Sequence, residues 1–478
     1  MSVRLLVVSL LGGAALSAAS AADDARPPAD RNAAVKLPKL DPDALADPKA
    51  AARAVERLEK EYPAPQPEAV RMLVAILKGS QLDGTDGWFG PARTRYTWQW
   101  LAERHGADPK TGSVARAAFR GPAALFDALD RDGDGTITAA DLDWSDRNPY
   151  VMRANVLTGL FRRLDGNGDG KLTRAELDEL FKRVADGKEH FTADDFRRAL
   201  LPRGPGGFSP GDGPSVPVLV RGLYAGEIGS IQEGPSVGAA APDFALRSPE
   251  GETVRLSKLV GTKPTVLVFG NFTCGPFRGL FPDADAVYER YKDRATFLMV
   301  YVREAHPTDG WKMESNARAG VAVKQPTTAA ERGEACAQFR KLLKPGMPVV
   351  VDEIGDPAGT AYSAMPARLY VIDADGKVAY KSGRGPFGFK PGEMEQALAM
   401  SLLEASPPPK ADGPGAGCFV PLAPDEEVRA ERPKVETGGG VPLPNRAKAV
   451  AGRLPRTAAA MLELDHARRA KSPLDPGR

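Results

Sequence analysis

Leu157, Leu160, Phe161 and Leu164 fall at i, i+3, i+4 and i+7, and Leu177, Leu180, Phe181 and Val184 repeat that spacing after a polar, glycine-bearing stretch. Each set lines one face of a helix. Helical periodicity of this kind dominates from about residue 67 to 200. After the Gly/Pro run "PRGPGGFSPGDGPSVP" (202–217), a linker by composition, the period changes. "TVLVF" (265–269), "ATFLMVYV" (295–302) and "PVVVD" (348–352) are continuous apolar runs of the kind that make buried strands. "ARLYVID" and "KVAYKS" flank the turn "ADGK" and predict an antiparallel pair. Helices are predicted from about Pro276, with Leu280, Ala284, Val287 and Tyr291 on one face, then near 327–344, and over "PGEMEQALAMSLLE". A short hairpin with Gly251 at its turn precedes them.

The chain therefore reads as multidomain: an all-α domain over 67–200, a linker over 201–234, and an α/β domain over 235–404. Residues 22–66 read as a mobile lead-in with one short helix around "DPKAAARAVERLEKEY", and 405–478 as a Pro-rich, mostly disordered tail. A Gly/Pro linker offers few groups to couple two domains, so they are expected to unfold separately. The net charge of +2 over 478 residues gives no general drive toward nucleic acid or a membrane surface. Arg4, the apolar stretch Leu5–Leu16 and the small-residue site "ASA" at 19–21 predict a signal peptide over 1–21, hence an exported protein, whether periplasmic, cell-surface or secreted. No later stretch is apolar enough to span a bilayer. Three cysteines, Cys274, Cys336 and Cys418, are too few for a disulfide scaffold, and their odd number points to a thiol with a chemical task.

Two polar stretches in the helical domain space oxygen ligands at alternate positions around a glycine turn: "DRDGDGTITAAD" (130–141) and "DGNGDGKLTRAE" (165–176). This is the EF-hand template for Ca2+, a hard cation that takes six to eight oxygens. The first loop offers Asp130, Asp132, Asp134, Thr136 and Asp141; the second offers Asp165, Asn167, Asp169, Lys171 through its carbonyl, and Glu176. Asp141 is one methylene shorter than Glu, so weaker binding is expected there. Ile137 and Leu172, at the eighth position of each loop, are expected to pair. "DGKEHFTADDF" (186–196) resembles a decayed third loop and "ADPKTGSVARAAF" (107–119) a fourth, neither able to bind the ion.

In the second domain the order strand–helix–strand–helix–strand–strand–helix, with a cysteine after the first strand, is the thioredoxin order. Met365–Pro366, just before a strand, falls where that fold keeps a cis-proline. A Cys-Gly-Pro-Cys pair would be expected after "TVLVF", but the sequence is "TCGPF", with Phe277 in place of the second cysteine. That segment, "EAHPTDGW" (304–311), "PVVVD", "MPARLY" (365–370) and "YKSGRGPFGFKPGE" (380–393) together resemble the iodothyronine deiodinases, in the family's order.

The resemblance implies that Cys274 stands at the selenocysteine position, a lone nucleophile whose thiol reductant comes from outside. It implies that His306 gives a proton or binds a phenolate, with Glu304 as the acid of the same loop, and that Arg368, Trp311 and Phe277 contact substrate. The substrate expected is a small halogenated aromatic molecule. Departures from the family are sulfur in place of selenium, and Gln325–Pro326 near the place of a second histidine. At a strand end and helix start, the Cys274 thiolate is expected to be stabilised and its pKa to lie below the ordinary value. Two other functions fit the same residues. A thiol peroxidase acting on peroxides shares the hairpin, although Asn271 replaces the threonine expected three before the cysteine. A calcium-stabilised surface or scaffold protein would need no reactive thiol. Cys336 reads as a buried helix residue, with a resolving role as the alternative.

Overall fold

The computed structural model of the chain describes residues 37–64, 66–79, 91–145, 147–200, 215–386 and 388–405. The signal-like segment 1–21, most of the Gly/Pro run, Cys418 and the tail after 405 lie outside them. Helix α1 (Pro48–Glu61) starts where Asp47 accepts the amide hydrogens of Lys49 and Ala50, with proline at its first position. Its Ala51, Ala54, Val55 and Leu58 are buried against α2 (Glu68–Leu77). Leu45 is buried in the same cluster and Leu37 and Leu40 pack against it, so the stretch read as a mobile lead-in is packed from residue 37 on.

After α2 come β1 (Arg93–Thr94), α3 (Trp98–His105), β2 (Val114–Ala115), α4 (Ala123–Leu129), β3 (Thr136–Ile137) and α5 (Ala139–Leu142). The second calcium-type loop lies between α6 (Pro149–Leu164) and α7 (Arg174–Ala185), which α8 (Ala193–Leu200) follows. Ile137 pairs with Val114 rather than with Leu172, so the first loop partners the decayed segment 107–119. The second loop's helices pack Leu160, Leu164, Leu180 and Val184 against Phe191, Phe196 and Leu200 of the other decayed segment. Each complete loop is therefore matched with an incomplete one. Leu157, Leu177 and Phe181 of the apolar stripes remain exposed.

Helix α9 (Val216–Tyr224) follows the Gly/Pro run and buries Val220 and Leu223 in the α1–α2 cluster, so the linker ends before it. Then come β4 (Ala245–Arg247), β5 (Thr253–Arg255), β6 (Thr265–Gly270), α10 (Gly275–Tyr291), β7 (Thr296–Tyr301), α11 (Glu314–Arg318), α12 (Ala329–Leu343), β8 (Val349–Val351), α13 (Pro357–Ala361), β9 (Arg368–Ile372), β10 (Val378–Lys381) and α14 (Pro391–Ala405). The sheet order is β1-β10-β9-β6-β7-β8-β4-β5, with β6, β7 and β8 parallel and β9 and β10 antiparallel to their neighbours. Its centre is the thioredoxin arrangement, with the β4–β5 hairpin added at one edge and β1 at the other. Side chains alternate across it. Val266, Val268, Leu369 and Val371 face α10, α12 and α14, whereas Leu267, Phe269, Tyr370 and Ile372 face α13.

Strand β1 belongs to the helical half by sequence, yet it completes this sheet. Leu125, Phe126, Leu129 and Ile137 also share one core with Phe277, Leu398 and Leu403. Trp144 Nε1 donates to Gln396 Oε1 at 2.9 Å, and Gln396 Nε2 to the Asp141 carbonyl at 2.8 Å. The two halves therefore meet over an apolar interface, contrary to the separable domains expected from the linker. Phe126→Ala should cost about 3–5 kcal/mol. It should lower the unfolding midpoint reported by tryptophan fluorescence and by Cys274 alkylation equally. Two midpoints that separate would show that the core is not shared.

Candidate active site and calcium loops

Cys274 caps the start of α10 at the end of β6, as the sequence predicts, but its side chain is completely buried. Asn271 builds the turn before it. Its Oδ1 accepts the amide hydrogens of Cys274 (3.0 Å) and Ala305 (3.2 Å) and the Thr273 hydroxyl (3.3 Å), while its Nδ2 donates to the carbonyl of Pro366 (2.9 Å). The Met365–Pro366 bond is cis. Below the turn, Arg278 donates to the Phe272 carbonyl and to Asn316 Oδ1 (2.8 Å), and Asn316 Nδ2 donates to the Thr273 carbonyl (2.8 Å).

These groups decide the state of the thiol. The Phe277 amide, Arg278 and Arg162 all favour the thiolate, but burial outweighs them and pushes Cys274 up to about 11. The depressed pKa expected from the helix start is not realised while the site is closed. Cys336, on α12, is likewise buried, free and pushed up to about 12 by burial.

The "EAHPTDGW" loop folds back onto this turn. The Thr273 amide donates to Glu304 Oε2 at 2.8 Å, the Tyr301 hydroxyl donates to Oε1, and burial raises the Glu304 carboxyl above its ordinary value. Gln325 closes the loop from behind, exchanging two hydrogen bonds with the Glu304 main chain (3.1 and 3.0 Å). The His306 amide donates to Thr273 Oγ1 at 2.9 Å. Its Nδ1 lies 3.2 Å from the Trp311 carbonyl, which can only accept, so Nδ1 carries the proton and Nε2 is the basic atom. The Trp311 ring stands edge-on to the imidazole at 4.5 Å.

Cys274, Glu304, His306 and Trp311 are thus brought into one network, and two other predicted contacts are not. Arg368 points to the α13 face of the sheet, with Phe269, Tyr370 and Ile372, while Cys274 packs on the opposite face. Its guanidinium donates to the carbonyls of Ser363, Ser382 and Glu233. Phe277 is core: its ring lies against Gly270, where a Cβ would come within 2.2 Å of it, and against Phe281, Phe339 and Phe389.

Sequence reasoning missed Asn271, Arg278 and Asn316 as the frame of the turn. Arg278 carried a signal, a charge set within the apolar stripe of Phe277, Phe281 and Ala284. Arg162, which precedes the second loop, lies over Gly279 of α10 and acts on Cys274 electrostatically; nothing local in sequence shows that.

Both loops fit a calcium ion. Oxygens of Asp130, Asp132 and Asp134 converge within 4.8 Å of one another, and Asp130 Oδ1 is buried without a partner. Burial and the neighbouring carboxylates Asp141 and Asp134 raise Asp130. In the second loop burial likewise raises Asp165, and Asp169 adds to it. Asp141 and Glu176 accept amide hydrogens of their own loops, which leaves part of each carboxylate's acceptor capacity for a cation. The second loop also touches the thiol's helix. Cβ atoms placed on Gly168 and Gly170 would stand 3.7 Å from Arg278 Nη2 and 2.6 Å from Pro282 Cγ. At Gly170 (φ +75°) only glycine makes both the turn and this approach.

The iodothyronine deiodinase family model matches residues 224–401, and an EF-hand model matches 123–143 and 158–182. The type I iodothyronine deiodinase of Xenopus laevis is 31% identical over 171 residues, 35% of this chain and 65% of that protein. The thyroxine 5-deiodinase of Gallus gallus is 31% identical over 181 residues, 37% of this chain and 68% of that protein. The chain thus spans about 65% of the length of the Xenopus relative. A thioredoxin-family thiol:disulfide interchange protein from Chlorobium tepidum aligns over 35% of this chain and 99% of its own, at 17% identity and a TM-score of 0.25.

Iodoacetamide should label Cys274 slowly at neutral pH, with a rate that climbs toward a pKa of about 11 and is abolished in Cys274→Ser. Because folding raises this pKa above the ~8.5 of an unfolded thiol, its contribution to stability is full below pH ~8.5 and is lost as pH rises through about 11. A labelling pKa below 8 would show that the thiol is solvated. Calcium should bind with dissociation constants of about 10⁻⁴–10⁻³ M, and Glu176→Gln should weaken one site only. Chelation should loosen the second loop from α10 and speed Cys274 labelling several-fold. Equal rates with calcium and chelator would show that the loop does not guard the thiol.

Proposed function

The chain belongs to the iodothyronine deiodinase family, and on that premise we propose that it is an exported, calcium-binding thiol oxidoreductase that removes iodine from iodinated phenols through Cys274. The observation that carries this reading is a lone cysteine at the strand-to-helix junction, tied through Thr273 and Asn271 to the Glu304–His306–Trp311 loop. The site contains the nucleophile and a proton carrier, and among the described residues no second cysteine stands beside the first on α10.

Sulfur of Cys274 attacks the iodine, a sulfur–iodine bond forms, and the carbon–iodine bond breaks with its electron pair left on the ring carbon. That carbon takes a proton, so the thiol's own proton, passed through His306, balances the step. An external thiol then displaces iodide from sulfur to give a mixed disulfide, and a second thiol restores Cys274 and leaves as the oxidised reductant. Glu304 acts as a positioning residue: buried and hydrogen-bonded to the Thr273 amide, it fixes the turn that carries the sulfur. Calcium, where bound, supplies loop rigidity through Asp130, Asp132, Asp134, Thr136 and Asp141, and through Asp165, Asn167, Asp169, Lys171 and Glu176. A peroxidase reading is less well supported, because Asn271 uses both ends of its carboxamide on the main chain and on Thr273 rather than presenting a hydroxyl to peroxide.

With dithiol present, the protein should release iodide from an iodinated phenol, Cys274→Ser should release none, and His306→Ala should be slower by about 10²–10⁴-fold. Mass spectrometry should find the adduct on Cys274. Peroxide consumption without iodide release from any iodophenol would replace this reading with the peroxidase one. Export follows from the amino-terminal pattern, and sequencing of the mature protein should begin near Ala22; a protein retaining Met1 would refute it.

A further inference from the structure

Two guanidinium groups act on the Cys274 sulfur, one from each half of the chain. Arg278, on α10, is committed: Nη1 donates to the Phe272 carbonyl and Nη2 to Asn316 Oδ1, so it frames the turn. Only its Nε is left over, buried without a partner. Arg162, in the last turn of α6, is uncommitted. Among the described residues it takes part in no hydrogen bond and no ion pair, and its Nε too is buried without a partner. A half-buried guanidinium left this way is costly unless an anion answers it. Cations in a last turn often serve the helix's own carbonyl end. Here Arg163 takes a carbonyl, that of Leu200, and Arg162 takes none.

Its position says which anion. The side chain of Arg162 lies over Gly279: a Cβ placed there would stand 3.5 Å from Nε, 3.7 Å from Cγ and 4.0 Å from Cδ. Gly279 shares a face of α10 with Gly275, four residues before it and next to Cys274. The guanidinium therefore sits over the first turns of the helix that Cys274 caps. Asp283 of the same helix also acts on it, without forming an ion pair and less strongly than a Cys274 thiolate does. Besides the two arginines, the charge that faces the sulfur is Glu304, from the loop after β7, and it opposes the thiolate.

We propose that Arg162 is a positioning residue of the thiol's chemistry: it is the counter-ion that the calcium module supplies to the Cys274 thiolate, so the active site is composite and the α/β half alone holds only part of it. This rests on Cys274 being the reactive thiol, as in the proposed function, and not on which bond the sulfur attacks. In the closed site burial keeps the sulfur neutral. When water or substrate enters, that penalty falls while the charge over the first turns of α10 stays. The two arginines thus divide the work. Arg278, with its Nη hydrogens used, holds the turn, and Arg162, with its hydrogens unspent, answers the charge. Arg162 also stands three residues before Asp165, so it rides on the helix that enters the second calcium loop.

The test alkylates the full chain, with calcium present, by iodoacetamide, which is neutral, and by iodoacetate, an anion, and reads the label on Cys274 by mass spectrometry. At one pH the ratio of the two rates cancels how often the site opens and how much of the sulfur is ionised, and leaves the local charge. Arg162→Met keeps the apolar stem over Gly279 and removes the charge. It should lower the iodoacetate-to-iodoacetamide ratio by about threefold or more. It should also move the midpoint of labelling against pH upward, which a change in opening alone does not do. Arg162→Lys should keep most of both, and Arg162→Gln serves if Arg162→Met does not fold. A wild-type ratio and midpoint in a folded, uncharged variant would overturn the proposal, as would an equal loss in Arg162→Lys, which would assign the effect to packing. The expected ratios on a thiol that releases iodide from no iodophenol would uphold this proposal and fail the proposed function instead.

Discussion

A single buried carboxamide, that of Asn271, joins the end of β6, the start of α10, the loop after β7 and the cis-proline before β9. Three of these segments carry main-chain groups, the amides of Cys274 and Ala305 and the Pro366 carbonyl, that burial would otherwise leave unpaired, at about 1–3 kcal/mol each. Satisfying them from one side chain fixes the turn that carries Cys274 to within hydrogen-bond tolerance. It also brings the Ala305 amide, and with it His306, to the thiol's side of the sheet. A threonine there has one oxygen and one proton to offer and could not serve all three main-chain groups. The same substitution that weakens a peroxidase reading is what holds this loop in place.

Around that turn, burial pushes several ionisable groups toward their neutral forms. Cys274 and Cys336 are pushed up, Glu304 and Tyr301 are raised, and Arg278 and Arg162 are lowered. The closed site thus favours neutral sulfur, and neutral sulfur is a poor nucleophile. Chemistry requires water, or a polar substrate, to enter and let the two guanidinium groups act on a thiolate. The part of the molecule placed to control that entry is the second calcium loop, since Gly168, Gly170 and Arg162 lie against the first turns of α10. Nε of both Arg162 and Arg278 is buried without a partner, consistent with charges held ready for an anion that the closed state does not supply.

Much of this was legible in the sequence. The apolar runs at 265–269, 295–302 and 348–352 could only be buried strands, and alternate oxygens around a glycine located both loops. The alternation of "ARLYVID" even fixed Arg368 on the face opposite Leu369 and Val371. What it could not tell was which face held the thiol. The burial of Cys274 was not legible either, because Arg162 comes from more than a hundred positions upstream and local spacing carries no trace of it. The α1 stripe of Ala51, Ala54, Val55 and Leu58 was visible, but part of its partner, α9, lies beyond the Gly/Pro run and only folding brings them together. Likewise position alone made Ile137 and Leu172 the expected pair, and the structure pairs Ile137 with Val114 instead. The choice of Val114 for Ile137 was made by the decayed segment at 107–119, whose ligands are gone but whose strand survives.

That survival bears on how the calcium module and the redox fold come to share one core. A decayed loop can keep its structural half and lose its chemistry. Here the first decayed segment keeps the strand, with Val114 paired to Ile137, and the second keeps only a packing contact, Phe191 on Phe181 at 5.4 Å. Freed from binding, the first of them belongs to a segment whose neighbours Tyr96 and Leu101 enter the core shared with Leu398 and Leu403, while Arg95 reaches Asp373 at 2.7 Å. Calcium affinity and attachment to the sheet are thereby assigned to different copies of one motif. An ion bound in the complete loops then acts on a frame already packed against the thiol's domain.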